Sequence, residues 1–368
     1  MTWNLPQLWM SMTRALRPRE RAGLGMAIAA SVVAGVLNGV RANSVLVFVV
    51  AAVALALLAA QVGQATDHLG SRMSSGATGV LQSALGNLPE LFVGIFALRA
   101  GLVNVIQAAL IGSILGNSLL VLGLAFLVGG IRHGTQRFES GTPRMIATLT
   151  LLAISALVVP TLAAGLHEPA SAHEDVLSMA CAIVLLVVFV ASIPIAIRGG
   201  PPSTTAEQAE EAEEPVWPVW LAVTVLAIAG IGAAFVSDWF VAALTPAIQV
   251  LHISERFTGL VIVALAGNAV ENVVGIQLAA RNKPDYAISV ILNSSLQVAL
   301  GLVPVLVLLS LVIGGPTLTL VMPGLLVAAL GLAALLGTVV TYDGESTWLE
   351  GVALIGLYGI IAAAFWWG

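Results

Sequence analysis

Charge is scarce in this chain. Of its 368 residues 9% are Asp, Glu, Lys or Arg, against about a quarter in soluble domains, which excludes a charged, water-solvated surface around one core. Cysteine is scarcer still. Cys181 is the only one, so no intrachain disulfide and no cysteine-built metal site can form. It lies in an apolar run and reads as a small core residue. The five histidines, His68, His133, His167, His173 and His252, fall at the ends of apolar runs or between them and read as surface groups. The net charge of −5 is local, because Glu207, Glu210, Glu211, Glu213 and Glu214 account for all of it. It gives no reason to expect a nucleic-acid partner.

What the chain has instead is hydrophobic sequence, 59% of the total, in repeated runs near the roughly 20 residues that carry a helix across a bilayer. A β-barrel would show short alternating segments. The fold class is therefore an all-α polytopic membrane protein. Spans are expected near 24–40, 44–62, 79–98, 104–130, 145–165, 174–197, 217–236, 255–279, 285–313, 317–340 and 348–366. The stretch 238–251 is either a twelfth span or an extension of the seventh. With eleven spans and the N-terminus inside, only Arg41, Arg99 and Arg256 of the fourteen basic residues face outward, as the positive-inside rule prefers. A twelfth span would move Arg281 and Lys283 outside, so eleven are expected. No signal-peptide layout opens the chain. Trp3, Leu8, Trp9 and Met12, beside Arg14 and Arg17, form either an interfacial segment or a loose basic tail. The Pro/Ser/Glu-rich run 198–216 is a flexible acidic connector.

Two stretches carry chemistry. "GNLPELFVGI" starts at Gly86 and "GNAVENVVGI" at Gly267, an offset of 181 residues. At that offset Asn87 falls on Asn268, Glu90 on Glu271, and, with no gap, Ser113 on Ser294. The organisation that follows is a segment 1–42 with an extra first span, an N-terminal repeat 43–197 holding motif 86–95, the connector 198–216, and a C-terminal repeat 217–368 holding motif 267–276. The motif spans are the third and the eighth. Five spans apart is an odd number, so the copies run in opposite directions, an inverted five-helix repeat of the kind that places transporter sites at the bilayer midplane.

Glu90 and Glu271 are the only acids clearly inside spans. A charge at the bilayer centre costs about 2.5–3.5 kcal/mol on insertion scales, and two at matching positions need a function. A structural carboxylate, protonated or bonded between helices, is the bland alternative. Gly86 and Gly267 permit irregular backbone, and Pro89 removes an amide and can break a helix; these three are expected hinge positions. Freed carbonyls, the amide oxygens of Asn87 and Asn268, and the two carboxylates suit a hard, oxygen-seeking cation such as calcium, and serve zinc or copper poorly. Ser113 and Ser294 could add hydroxyls, unless they bond back to their own helices; Asn117 and Gln297 could add amides. When a divalent ion leaves two neighbouring carboxylates in a low dielectric, both cannot stay ionised, and protons take its place.

The two motifs resemble the α-repeats of the calcium–proton antiporters, the cation/proton exchangers of the calcium/cation antiporter superfamily. "GSILGNSLLVLGLAFLVGG" at 112–130 and "NSSLQVALGLVPVLVLL" at 293–309 are similar to the spans that follow each repeat, and "ATDHLG", "SDWFV" and "SERFTGL" to flanking segments. The resemblance covers roughly 60–340. It implies proton-driven calcium transport with Glu90 and Glu271 as alternately accessible cation and proton carriers, and Asn87, Asn268, Ser113, Ser294 and Gln297 as accessory metal ligands. Asp67 and Asp238 match acidic positions of the family. There they would relay protons or gather cations at the two mouths, unless they are solvated charges. Three positions depart from the family pattern: Asn272 where His is usual, Asn293 where Gly is, and Leu88-Pro89 where Ala-Thr is common.

The expected ligands are transported Ca2+ and H+, with no tightly bound cofactor. The expected partners are the cation substrate and the bilayer, with homo-oligomerisation left open. The expected location is a bacterial inner membrane, N-terminus cytoplasmic. "TYDGES" at 341–346 holds a Tyr-Asp pair of the sort seen in intramembrane aspartyl proteases, but no second intramembrane Asp accompanies it, so no enzyme is expected. A sodium-coupled calcium exchanger or a monovalent cation/proton antiporter on the same repeats, and a passive cation channel, are the alternatives.

Overall fold

The computed structural model describes residues 16–73, 81–82, 85–199 and 217–367. The basic N-terminal stretch through Arg14, the acidic connector with its glutamates, and the start of the third expected span lie outside them. The described residues are almost wholly helical: α1 Pro18–Gly39, α2 Ser44–Gly70, α3 Leu88–Arg99, α4 Val103–His133, α5 Gly141–Gly165, α6 Glu174–Gly199, α7 Val219–Leu251, α8 Glu255–Gly267, α9 Ala269–Ala280, α10 Pro284–Ser310, α11 Gly324–Val340 and α12 Trp348–Trp366. Eight are long and apolar enough to cross a membrane. The pair α8 and α9, bent by 66°, makes a ninth span if counted as one.

The doubtful stretch 238–251 is settled: α7 runs unbroken through it, even past Pro246. The expected span 317–340 needs correction, because its helix starts only at Gly324. Pro316 and Pro323 bracket a non-helical segment, and side chains replace the missing helical hydrogen bonds. Gln107 Nε2 donates to the Thr319 and Val321 carbonyls at 2.9 and 3.1 Å. Leu318 N, Leu320 N and Met322 N donate to Ser310, Ser178 and Thr161 hydroxyls at 2.9 Å each. Irregular backbone at membrane depth is tolerable only when buried and satisfied in this way.

The chain divides into two compact units, one of residues 1–93 and 193–247, the other of 94–192 and 248–368. In the first, α2 is capped by Asn43, whose side chain accepts from Val45 N at 2.9 Å, a standard device for satisfying free first-turn amides. It runs antiparallel to α7. Phe48 stacks on Phe240 with centroids 4.8 Å apart. At the far end Ala65 packs with Trp217, Leu221 and Val225. There Glu20 of α1 accepts from Trp217 Nε1 at 3.0 Å and from Arg17 N at 2.7 Å, and the His68 ring stacks on Trp217.

In the second unit α4 and α10 are the most deeply buried spans. Each contains a π-helical stretch, Gly116–Val121 and Val298–Leu302, which the repeat offset superimposes to within one residue. A third, Thr258–Val263, lies in α8. Such segments re-aim side chains and recur at functional sites. α4 and α8 meet backbone to backbone: a Cβ on Gly112 would run into the Leu260 backbone, and one on Gly259 into the Val105 carbonyl. Close approach through small residues is how membrane helices gain contact without a hydrophobic driving force. At one rim a two-stranded ladder, β1 Gln136–Arg137 with β2 Glu345–Ser346, ties α4 to α9 through Gln136 Nε2, 3.1 Å from the Ala279 carbonyl.

Candidate functional site

Both motifs begin a helix in the same register. Asn87 precedes α3, with Pro89 second and Glu90 third in that helix; Asn268 precedes α9, with Glu271 third. Asn-x-x-Glu is the spacing of a helix N-terminus whose two side chains cap it, and a carboxylate there is favoured by the helix dipole. The chain breaks where the glycines stand. Gly86 N donates to the Gln82 carbonyl at 2.7 Å, and a Cβ on Gly86 would lie 2.7 Å from that oxygen. Gly267 ends α8 at the 66° bend. Pro89, buried, occupies a first-turn position where no amide is required. Both carboxylate oxygens of Glu90, and Oε2 of Glu271, are shielded from solvent.

In the second motif the asparagine does not cap. Asn268 sits at φ −91°, ψ 19°, and its side chain makes no bond to the first turn of α9. Instead Nδ2 donates to Ser113 Oγ of α4 at 2.9 Å and to the Ala264 carbonyl at 3.0 Å. From the same face of α4, Asn117 Nδ2 donates to Ser294 Oγ of α10 at 2.9 Å and to Asn268 Oδ1 at 3.4 Å. All four residues are at least 95% buried. The first three turns of α4, its π stretch, the start of α9 and the middle of α10 thus gather a neutral cluster of amides and hydroxyls beside the helix start that carries Glu271. Burying these groups unpaired would cost about 1–3 kcal/mol each. Here they satisfy one another, and every oxygen in the set is a donor type suited to a hard cation.

Of the sequence-derived candidates, the structure brings Asn268, Ser113, Ser294 and Asn117 into this cluster, Asn117 as an internal hydrogen-bond donor. The serines do not bond back to their own helices. Gln297 lies half-buried at the end of the α-helical part of α10. Asp67 lies near a helix end, whereas Asp238 does not. Asp67 is exposed in the last turn of α2, accepting from Gln82 Nε2 at 2.8 Å, and Asp238 is exposed in the middle of α7. A second buried contact escaped the sequence: Ser118 Oγ and Ser295 Oγ are 3.0 Å apart. The gapless offset pairs Ser118 with Ala299 and Ser295 with Ile114, so letter matching hides them. The signal is spatial: Ser295 Oγ reaches the carbonyl of Ile114, its own repeat partner, at 3.5 Å.

The sequence matches the sodium/calcium exchanger protein family over residues 43–198 and 221–367. It is 34% identical over 338 residues to the Ca2+/H+ antiporter of Synechocystis, covering 87% of this chain and 90% of that protein. It is likewise 34% identical over 330 residues to the Ca2+/H+ antiporter ChaA of Bacillus subtilis, covering 88% and 92%. The fold superposes on the structure of native YfkE with a TM-score of 0.80 at 30% identity, over 94% of this chain and 99% of that one. With both repeats matched and most of each relative covered, this chain belongs to the sodium/calcium exchanger protein family.

Proposed function

We propose that this protein is a secondary active transporter that exchanges Ca2+ for protons. Glu90 and Glu271 bind cation and protons in alternation, and Asn87, Asn268, Ser113, Ser294 and Gln297 supply neutral oxygens. The observation that carries this is the buried cluster of Ser113, Asn117, Asn268 and Ser294, drawn from both repeats and set at the start of the Glu271 helix. A hard divalent cation stripped of water needs many oxygens and few charges. Two carboxylates supply the charge, and the neutral groups supply the coordination number. Because cation and protons compete for the same carboxylates, no separate coupling device is needed.

The helix breaks at Gly86 and Gly267, with Pro89 in the helical turn just after the first, leave irregular backbone for further carbonyl ligands and for the change of access. Asp67 and Asp238 collect protons or cations at the two ends of the route. The repeats run over 43–197 and 217–368, joined by the acidic connector. The protein lies in a bacterial inner membrane with its N-terminus in the cytoplasm, carries no resident cofactor and performs no covalent chemistry. The test is simultaneous recording of calcium and proton flux in proteoliposomes, with sodium absent and then present. Calcium movement that collapses an imposed proton gradient without sodium supports the exchange. Calcium movement that requires sodium favours the second possibility, a sodium-coupled exchanger, for which the family's own description speaks. Flux that needs no counter-ion identifies a channel.

A further inference from the structure

The two motif helices end alike. Leu98 and Ala279 stand at the repeat offset of 181, as do Gly101 and Asn282. At the end of α3, Gly101 N donates to the Leu98 carbonyl at 3.0 Å and Leu102 N to the Ala97 carbonyl at 2.9 Å. At the end of α9, Asn282 N donates to the Ala279 carbonyl at 3.1 Å and Lys283 N to the Leu278 carbonyl at 3.0 Å. Gly101 and Asn282 both take positive φ, 78° and 59°. This is the left-handed cap that closes a helix and turns the chain.

Each capped end is met by a link of the other repeat. The link between α4 and α5, opened by Gly134 at φ 75°, carries Gln136. Gln136 Nε2 donates to the Ala279 carbonyl at 3.1 Å and to Asn282 Oδ1 at 3.0 Å. Glu139 N of the same link donates to Asp285 Oδ1 at 2.6 Å. The equivalent link between α10 and α11 holds Gly315, the offset partner of Gly134, at φ 106°. A Cβ there would lie 3.1 Å from the Leu98 carbonyl oxygen, and the same link takes Gln107 of α4 on its Thr319 and Val321 carbonyls. The two links lie at opposite ends of α4, a helix of 31 residues and about 45 Å, so there is one at each membrane face. Glu90 and Glu271 each stand eight residues before the carbonyl that is met, Leu98 and Ala279.

We propose that Gln136 is a positioning residue for the exchange. It pins the end of α9 to the repeat that does not carry that helix, and so sets where Glu271 stands; the α10–α11 link does the same for α3 at the other face. This assignment rests on the exchange role of Glu271 given above. A helix bent from its predecessor at Gly267 and fixed at its far end can only pivot about that end. Each repeat therefore limits the swing of the other. Loosening one pin frees one motif helix at one face and tilts the balance toward the state open there, because the two access states differ in how tightly that end is held. The two pins are not equal. Asn282 offers a side chain to Gln136, whereas Gly101 has none, so the hold on α9 can be weakened without disturbing its cap.

The test measures the apparent KM for calcium at each face in proteoliposomes of the full protein, alongside thermal unfolding. Gln136→Leu removes both bonds. Its KM should fall at the face bearing β1 and rise at the other, changing the ratio of the two by about three- to tenfold, the range that one or two net hydrogen bonds support. Asn282→Gly removes only the side-chain acceptor, at a backbone position that glycine prefers, so folding is kept. Its ratio should move in the same direction by about two- to threefold. Gly315→Ala, strained at φ 106° and crowding the Leu98 carbonyl, should move the ratio the opposite way. A structural role alone would lower the unfolding temperature and leave the ratio unchanged. An unmoved ratio in Gln136→Leu and Asn282→Gly, or a shift of the same sign in Gly315→Ala, overturns the proposal. Should Gln136→Leu not fold, the ratio in Asn282→Gly decides. Absence of proton-coupled flux in the unaltered protein would overturn the exchange reading itself, whereas coupled flux with an unmoved ratio overturns only the role of Gln136.

Discussion

Asn117 Nδ2 donates to Ser294 Oγ at 2.9 Å, across 177 residues of sequence. This bond joins α4 of one repeat to α10 of the other inside the second compact unit. The same amide reaches Asn268 Oδ1 at 3.4 Å, so one residue orients two of the oxygens assigned to the cation.

Asn117→Leu should therefore act twice. It removes the donor to Ser294 Oγ and leaves Asn268 Oδ1 with only the long 3.5 Å bond from Ser294 Oγ, at a cost of about 1–3 kcal/mol, visible as a lower unfolding temperature. It should also raise the KM for calcium, because neither oxygen is then fixed. A variant with unaltered stability and flux would remove Asn117 from the site.

Glu90→Gln and Glu271→Gln keep size and hydrogen bonding but cannot exchange a proton for a cation. Each should abolish proton-driven calcium uptake into everted vesicles while expression and unfolding temperature are maintained. Uptake at the normal rate in either variant would exclude that residue from the exchange.

The Gly112–Leu260 contact is a packing prediction independent of function. Gly112→Val puts side-chain atoms where the α8 backbone lies, and overpacking of this kind costs about 1–3 kcal/mol or more. Gly25→Ala is the control, since nothing lies within 4 Å of its added Cβ and alanine favours the helix. Thermal unfolding in detergent should separate the two. Equal midpoints would mean that α4 and α8 are not held so closely.

Gln107→Leu tests the non-helical segment before α11. It removes the donor to the Thr319 and Val321 carbonyls and leaves both without that partner. Amide exchange at Leu318, Leu320 and Met322 should accelerate, with little change in α1 or α2. Uniform exchange across the protein would show that the segment is held by other contacts.

Much of this was readable without coordinates. Hydrophobic run length and arginine placement marked the spans and favoured an undivided seventh helix, which the unbroken α7 bears out. Glycine, asparagine, glutamate and serine at one offset exposed the repeat, because polar letters in apolar helices are too costly to coincide by chance. The limits are equally physical. Hydropathy could not tell that 317–323 is non-helical, because such a segment is as apolar as a helix; its tolerance depends on Gln107, Thr161 and Ser178, remote in sequence, and on nearby Ser310. Nor could spacing show that Asn268 would decline to cap its own helix.

The sequence by itself determined that the chain is a bundle of membrane helices, that it is built from two related halves, and that each half carries one carboxylate inside an apolar span. Those properties are carried by composition and local register. Only the tertiary structure decided which neutral groups stand together. The Ser118–Ser295 contact arises where α4 and α10 meet beside their π-helical stretches, and the partner that satisfies a buried dipole comes from elsewhere in the chain.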